Sequence, residues 1–283
     1  MQKMDISTVC EHIAVQKPYF AFNELEKQGA ASVRGTFVAE QHVGYERGPL
    51  TLAEAGRHLA ILGSCAAMLK HSGQRTYYLA TKGHLRMLPG AQNRRKTGIF
   101  KAVAEVISED RRSLIAEAVV MNGEPIAFLH CEYKALPESV FSRLFKHYQT
   151  DPVAADDSSP YKEPIALEFE SPMGLSLIAH SRPLSVDRFA GHFPEYPTWP
   201  VAIMAEAASQ VRSKLLHHIL NDEVDYTVIK LDIDALHLVA ASEPLTFQVE
   251  CVFASHALSH YVFSTRILRG TTVTATLQSE VYV

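Results

Sequence analysis

The chain lacks a long apolar run, paired cysteines and an excess of either charge. No stretch approaches the roughly 18 apolar residues that a membrane-crossing helix needs, so no membrane span is expected. The four cysteines, Cys10, Cys65, Cys131 and Cys251, lie far apart with no C-x-x-C pair, which excludes a disulfide scaffold and points to a reducing compartment. A formal net charge of −4 sets up no field that would draw the chain to nucleic acid or to an anionic membrane. There is no Walker loop, no G-x-G-x-x-G and no G-x-S-x-G. Met1 to Glu11 carries two acids and no apolar core of a signal peptide, so the expected address is the cytoplasm. What is present is the balance of a folded domain, with 47% hydrophobic and 20% charged residues. The 283 residues suffice for two domains of about 140 each.

Residues 150–164 combine three prolines with small and acidic side chains, a composition that predicts an exposed linker. The same order of elements is expected on each side of it. Between 50 and 70, Leu52, Ala55, Leu59, Leu62 and Ala66 recur at helical steps. Extended runs follow at Tyr77–Met87, Ile99–Ser108, Leu114–Met121 and Ile126–Lys134, the last after an Asn122-Gly123 turn. The second half repeats this with a helix over 201–220 and runs at Tyr226–Leu238, Leu245–Ala254, Tyr261–Leu268 and Val273–Val283. Met204-Ala205-Glu206-Ala207 falls on Leu52-Ala53-Glu54-Ala55 at a constant offset of 152 residues. One long helix covers four or five antiparallel strands only if the sheet curls around it. The expectation is therefore an α+β double hotdog: two curled antiparallel sheets, each around a long central helix, over residues 1–149 and 165–283.

The segment Gly191-His192-Phe193-Pro194-Glu195-Tyr196-Pro197-Thr198-Trp199-Pro200-Val201 carries the chemistry. Its three prolines fix φ and stiffen the loop around His192. Pro200 suits the first helical turn and Thr198 is the candidate cap. Fourteen residues after the histidine, Glu206 sits among Met204, Ala205, Ala207 and Ala208, surroundings that raise a carboxyl pKa and keep it protonated as an acid. Gln210 follows one turn later.

This segment resembles the signature of the 3-hydroxyacyl-[acyl carrier protein] dehydratases, and the spacing from His192 to Glu206 and Gln210 fits without a gap. The resemblance implies a lyase that dehydrates a 3-hydroxyacyl thioester, in fatty acid or polyketide-type synthesis, with acyl carrier protein or coenzyme A as the partner that brings the substrate. It implies no metal and no organic cofactor, because the thioester itself acidifies C2, and it allows a homodimer of double hotdogs. His192 would take the C2 proton. By analogy with homodimeric relatives, the acid facing it would come from the other half, as Glu54. Glu206 would belong to a second site. Phe193, Pro200, Val201, His58 and Gln210 are the expected substrate contacts, with the Val201 N–H at a helix N-terminus turned to the thioester oxygen. Two family glycines are replaced, by Glu195 and Val201.

Blander readings stand beside these. Thr51-x-x-Glu54 is a capping box, which gives Glu54 a structural role. His42 lies only twelve residues before Glu54, out of register with the motif. His58 and the pair His217-His218 suit surface or interface positions. The basic run Arg94-Arg95-Lys96 reads as a solvated loop or a contact for an acidic carrier protein. Two other functions fit the same fold: a hotdog acyl thioesterase using a helix carboxylate to activate water, or a non-catalytic acyl-binding or scaffold subunit.

Overall fold

A computed structural model describes residues 2–71, 73–93, 98–110, 113–151 and 159–283. Strands β1 (Gln2–Lys3), β2 (Phe22–Lys27) and β3 (Ser32–Phe37) surround a short helix α1 (Ile6–Ile13). Helix α2 (Leu52–Met68) comes next, then β4 (Thr76–Met87), β5 (Phe100–Glu109), β6 (Ser113–Asn122), β7 (Glu124–Pro137) and a short α3 (Glu138–Leu144). The second half runs β8 (Leu167–Phe169), β9 (Ser176–Ser181), α4 (Val201–Leu220), β10 (Thr227–Ala235), β11 (Thr246–Ser255), β12 (His260–Arg269) and β13 (Thr272–Tyr282). All eight runs expected after the two long helices are strands, with ends moved by at most three residues; β10, for example, stops at Ala235 instead of Leu238.

The strands form one open antiparallel sheet of thirteen, in the order β1-β2-β3-β5-β6-β7-β4-β10-β13-β12-β11-β9-β8. From the β4–β10 seam outwards the order is β4-β7-β6-β5-β3 on one side and β10-β13-β12-β11-β9 on the other. The two halves therefore repeat one connectivity, as the 152-residue offset implies. They are joined at the seam into a single sheet instead of remaining two.

Helix α2 packs on β3 to β7, α4 packs on β9, β11 and β12, and the two helices touch each other. Covered by a sheet on one side and a helix on the other, α2 is buried nearly all round, which matches its nearly continuous apolar sequence. Thr51 caps it, accepting a hydrogen bond from the Glu54 N–H at 3.1 Å. Helix α4 begins differently. Pro200 occupies the cap position and no side chain caps the turn, so Thr198 is not the cap. At the other end Asn221 adopts the left-handed conformation, φ 52°, that closes many helices.

Part of the expected linker, 152–158, and the basic run 94–96 lie outside the described residues. The linker's last residues, Lys162 to Pro164, are exposed, but Tyr161 before them is not. Tyr161 is buried, its ring lies edge-on to Tyr19 with centroids 5.1 Å apart, and its hydroxyl donates to the Ala190 carbonyl at 2.8 Å. One aromatic side chain was enough to tie this proline-rich segment to the core.

Candidate functional site

The His192 loop is clamped before it reaches the histidine. Gly191 has φ +86°, and a Cβ there would meet the Gln16 carbonyl oxygen at 2.3 Å and the Tyr19 nitrogen at 2.8 Å. Only glycine allows this backbone-to-backbone approach. The Gly191 carbonyl accepts from the Gln16 N–H at 2.8 Å, and Val15 bridges His192. On the far side the Trp199 N–H donates to the Val239 carbonyl, and the indole N–H donates to the Glu243 carbonyl at 3.1 Å.

The partly buried His192 ring sits against Phe193, centroids 4.1 Å apart, with Tyr19 edge-on at 4.9 Å. Its Nδ1 lies 3.2 Å from the Thr198 carbonyl, which can only accept, so the proton is on Nδ1 and the lone pair on Nε2. Burial pushes the imidazole down to about 3, against a small opposing pull from the Thr198 carbonyl. The ring is thus neutral at physiological pH, oriented, and able to accept a proton at Nε2.

His192 lines a cavity of about 530 Å³. One wall is a stripe of α2: Ala53, Gly56, Ala60 and Ser64, spaced three or four apart so that they share a face. Tyr133, Cys131 and Leu129 of β7, with Leu231 and Ile233 of β10, form the opposite wall. Val201, Ala202 and Ala205 of α4 complete it. The N–H groups of Ile203 and Met204 both donate to the Pro200 carbonyl. Those of Val201 and Ala202, in the first turn, have no intrahelical acceptor. A neutral imidazole and the first turn of α4, at the positive end of the helix, therefore border one largely apolar space.

The carboxylates are placed otherwise. Glu54 is completely buried, and its Oε1 accepts from the Glu40 N–H at 2.7 Å and the Gln41 N–H at 3.2 Å. Its neighbours Ala53 and Gly56 line the cavity, but Glu54 does not. It lies 3.6 Å from His58 Nε2, too far for a hydrogen bond. His58 is stacked on Phe37 at 4.0 Å, and burial together with the Arg57 cation pushes it down to about 4. Burial opposes the Glu54 charge, yet His58, the Glu40 N–H and Arg57 outweigh it and hold the carboxyl below the ordinary range. Glu54 is thus absent from the lining that His192 shares, and its Oε1 ties the 40–41 loop to α2.

Glu206 also lies off the cavity wall. Burial raises its carboxyl to about 7, with Arg188, the Gln210 amide and the Ile165 backbone opposing. The Gln210 amide donates to it at 3.1 Å, so the expected Glu206–Gln210 pair forms, but the lining residue on that turn is Ala205. Of the expected contacts, Phe193 and Val201 line the cavity, whereas Pro200, His58 and Gln210 do not. His42 is exposed, and its Nδ1 accepts from the Gly44 N–H at 3.0 Å. His217 makes an interface contact between the halves, edge-on to Tyr45. Among the described residues no cluster of three or more His, Cys, Asp or Glu could hold a metal ion, and no helix is long and apolar enough to cross a membrane.

Sequence reasoning missed Arg57. Its guanidinium is fully buried between the rings of Tyr19 and Tyr161, 5.5 and 5.1 Å from their centroids, and is ion-paired with Glu40. Through Tyr19 it braces the His192 ring from the other half of the chain. An arginine in a helix whose sequence is otherwise largely apolar, Leu52 to Met68, was the available signal.

Neither a family model nor a curated protein matches the sequence. Solved structures do match, along nearly the whole chain. An acyl-CoA thioesterase II from Mycobacterium marinum superposes with a TM-score of 0.55 at 12% identity, covering 91% of this chain and 93% of that one. A hot dog fold protein of unknown function from Alicyclobacillus acidocaldarius gives 0.53 at 15% identity, over 95% and 98%. The fold is the hotdog. An acyl-ACP thioesterase from Bacteroides thetaiotaomicron gives 0.54 at 11% identity, over 90% and 100%. The hotdog part of the dehydratase resemblance is thus met. The dehydratase part is not shown by these structures, two of which are named thioesterases.

Proposed function

We propose that this protein is a double-hotdog acyl thioesterase, with residues 1–149 and 165–283 as its two hotdog units and an acyl-CoA or acyl carrier protein thioester as substrate. One observation carries the reading. Among the described residues, the cavity lined by His192, Val201 and Ala202 has no carboxylate on its wall. Hydrolysis needs a base and an oxyanion site. Dehydration needs, in addition, an acid for the departing hydroxyl. The similarity of the whole chain to named thioesterases supports the same choice.

In the proposed step the thioester carbonyl lies at the α4 N-terminus and its acyl chain along the α2 stripe. His192 Nε2 takes a proton from a water that attacks the carbonyl carbon. The oxyanion is held by the Val201 and Ala202 N–H groups. As the C–S bond breaks, the imidazolium returns the proton to the sulfur, giving a free acid and a free thiol. His192, and not a helix carboxylate, activates the water.

Dehydration remains as a second reading on one observation, the Glu206–Gln210 pair, whose carboxyl at about 7 is a ready proton donor. A single incubation separates them. A 3-hydroxyacyl-CoA and its saturated parent are incubated with the protein, and free thiol and intact mass are followed. Hydrolysis releases thiol from both. Loss of one water from the hydroxy substrate, without thiol release, establishes dehydration instead. The His192→Ala variant should lose on the order of 10²–10⁴-fold in turnover.

A further inference from the structure

The seam between β4 and β10 is shorter than either strand. It pairs from Lys230↔Arg86 to Asp234↔Lys82 and then stops, next to a bulge between Ala80 and Lys82. Beyond that point β4 continues to Thr76 paired only with β7. On the other side Leu236 and His237 donate to the Thr274 carbonyl, away from β4. The sheet is split there, and the cavity runs into the split. Leu79 to Lys82 line one lip and Ala235 to Leu238 the other.

The lining changes character across the sheet. Inside are Tyr133, Cys131 and Leu231, all buried. Outside, Lys82, Lys134 and His237 also line the cavity, and all three are exposed. Glu132 and Asp234 stand opposite Lys82 in register, but among the described residues neither lysine is in an ion pair. Lys134 faces Leu79 and Ser113 instead of an acid. Near the lip Tyr148 donates to the Leu238 carbonyl at 3.2 Å, and Leu144 and Phe145 add apolar surface to the wall.

We infer that this split is the entrance for the carrier arm of the substrate, with Lys134 and Lys82 binding the phosphate of a phosphopantetheine group. The inference rests on the acyl-thioester reading of the cavity. It fits the chemistry of the two sides: an apolar interior takes the acyl chain, and unpaired ammonium groups at the outer mouth take a phosphate. Phosphopantetheine is common to coenzyme A and acyl carrier protein, so the site serves either source.

The test is equilibrium binding and needs no turnover. S-octyl-phosphopantetheine and S-octyl-pantetheine, both uncleavable thioethers, are titrated into the wild-type protein and into K82E/K134E, a surface change that leaves the core intact. The wild type should bind the phosphorylated probe roughly tenfold more tightly than the other, as one charge-assisted contact allows. The double variant should lose that preference and bind S-octyl-pantetheine as before. A wild type without preference for the phosphate, or a preference that survives in K82E/K134E, overturns the inference. S-octyl-CoA and octyl-acyl carrier protein run alongside show which source binds more tightly. Because no catalysis is read, failure of the hydrolysis assay would sink the thioesterase reading and leave this result standing.

Discussion

At the scale of single residues, the site separates groups that hold structure from those that face the cavity. Gly191 holds structure by having no side chain. Gly191→Ala must push the Gln16 and Tyr19 backbone away, and should destabilise the fold and displace His192 together, lowering both melting temperature and turnover. Glu54 also holds structure. Replacing it with Gln removes a charged acceptor from two backbone N–H groups, so Glu54→Gln should cost about 1–3 kcal/mol in denaturant unfolding. Its effect on kcat should be small beside that of His192→Ala, and a loss of equal size would return Glu54 to the chemistry.

Glu206 gives a pH-dependent expectation whose sign can be worked out. Its carboxyl is raised from the ordinary value to about 7 in the folded chain, so the folded state binds the proton more tightly than the unfolded state between those values. That proton's contribution to stability grows as pH falls through 7. Above 7, the buried carboxylate is a burden. Glu206→Gln, always neutral, should therefore raise the melting temperature at pH 8 by more than at pH 5. An advantage that is equal at both pH values would show that the carboxyl is not perturbed.

At the scale of elements, the small residues along α2 set the room in the cavity. Ala60 lies midway along the stripe, beside the Tyr133 hydroxyl, which donates to its carbonyl at 2.9 Å. Ala60→Leu should leave short-chain thioesters as good substrates and raise KM for long ones, read as a shift in the chain-length profile. The helices and the eight strands that follow them were legible because apolar periodicity reports directly on burial. The proline-stiffened loop and the start of α4 after Pro200 were legible because proline spacing fixes backbone, whereas the missing cap was not, since Thr198 was expected to supply it. The direction of Glu54 was not legible. Its neighbour Ala53 faces the cavity and Glu54 faces the 40–41 loop, and a helix rotates by about 100° between adjacent residues. Correct spacing along the chain therefore said nothing about which wall the carboxyl would join. Arg57 and Tyr161 were hidden for a related reason: their partners come from distant segments, and only the folded chain brings Tyr19, Tyr161 and Glu40 around one guanidinium.

At the scale of the molecule, the halves are bound by more than their connection. They share the β4–β10 seam, the α2–α4 contact and a buried pair, Glu46 with Arg212 at 3.5 Å, each side chain 4% exposed. Burial raises the Glu46 carboxyl, with Arg212 opposing. Removing Arg212 leaves that acid uncompensated, so Arg212→Met should cost roughly 3–5 kcal/mol. With so much shared, calorimetry should show one unfolding transition, and two separate transitions would contradict the description of the sheet as a single body.

The connectivity repeats about the seam, but the His192 loop has no equal in the first half, where His42 is exposed. In an assembly of two identical subunits every substitution is made twice, once at each end of the interface. Here a change in the α2 stripe alters one wall, and a change at His192 alters the chemistry. The tandem chain can therefore adjust what it accepts and what it does to it by separate mutations, a freedom that a symmetric pair of subunits does not have.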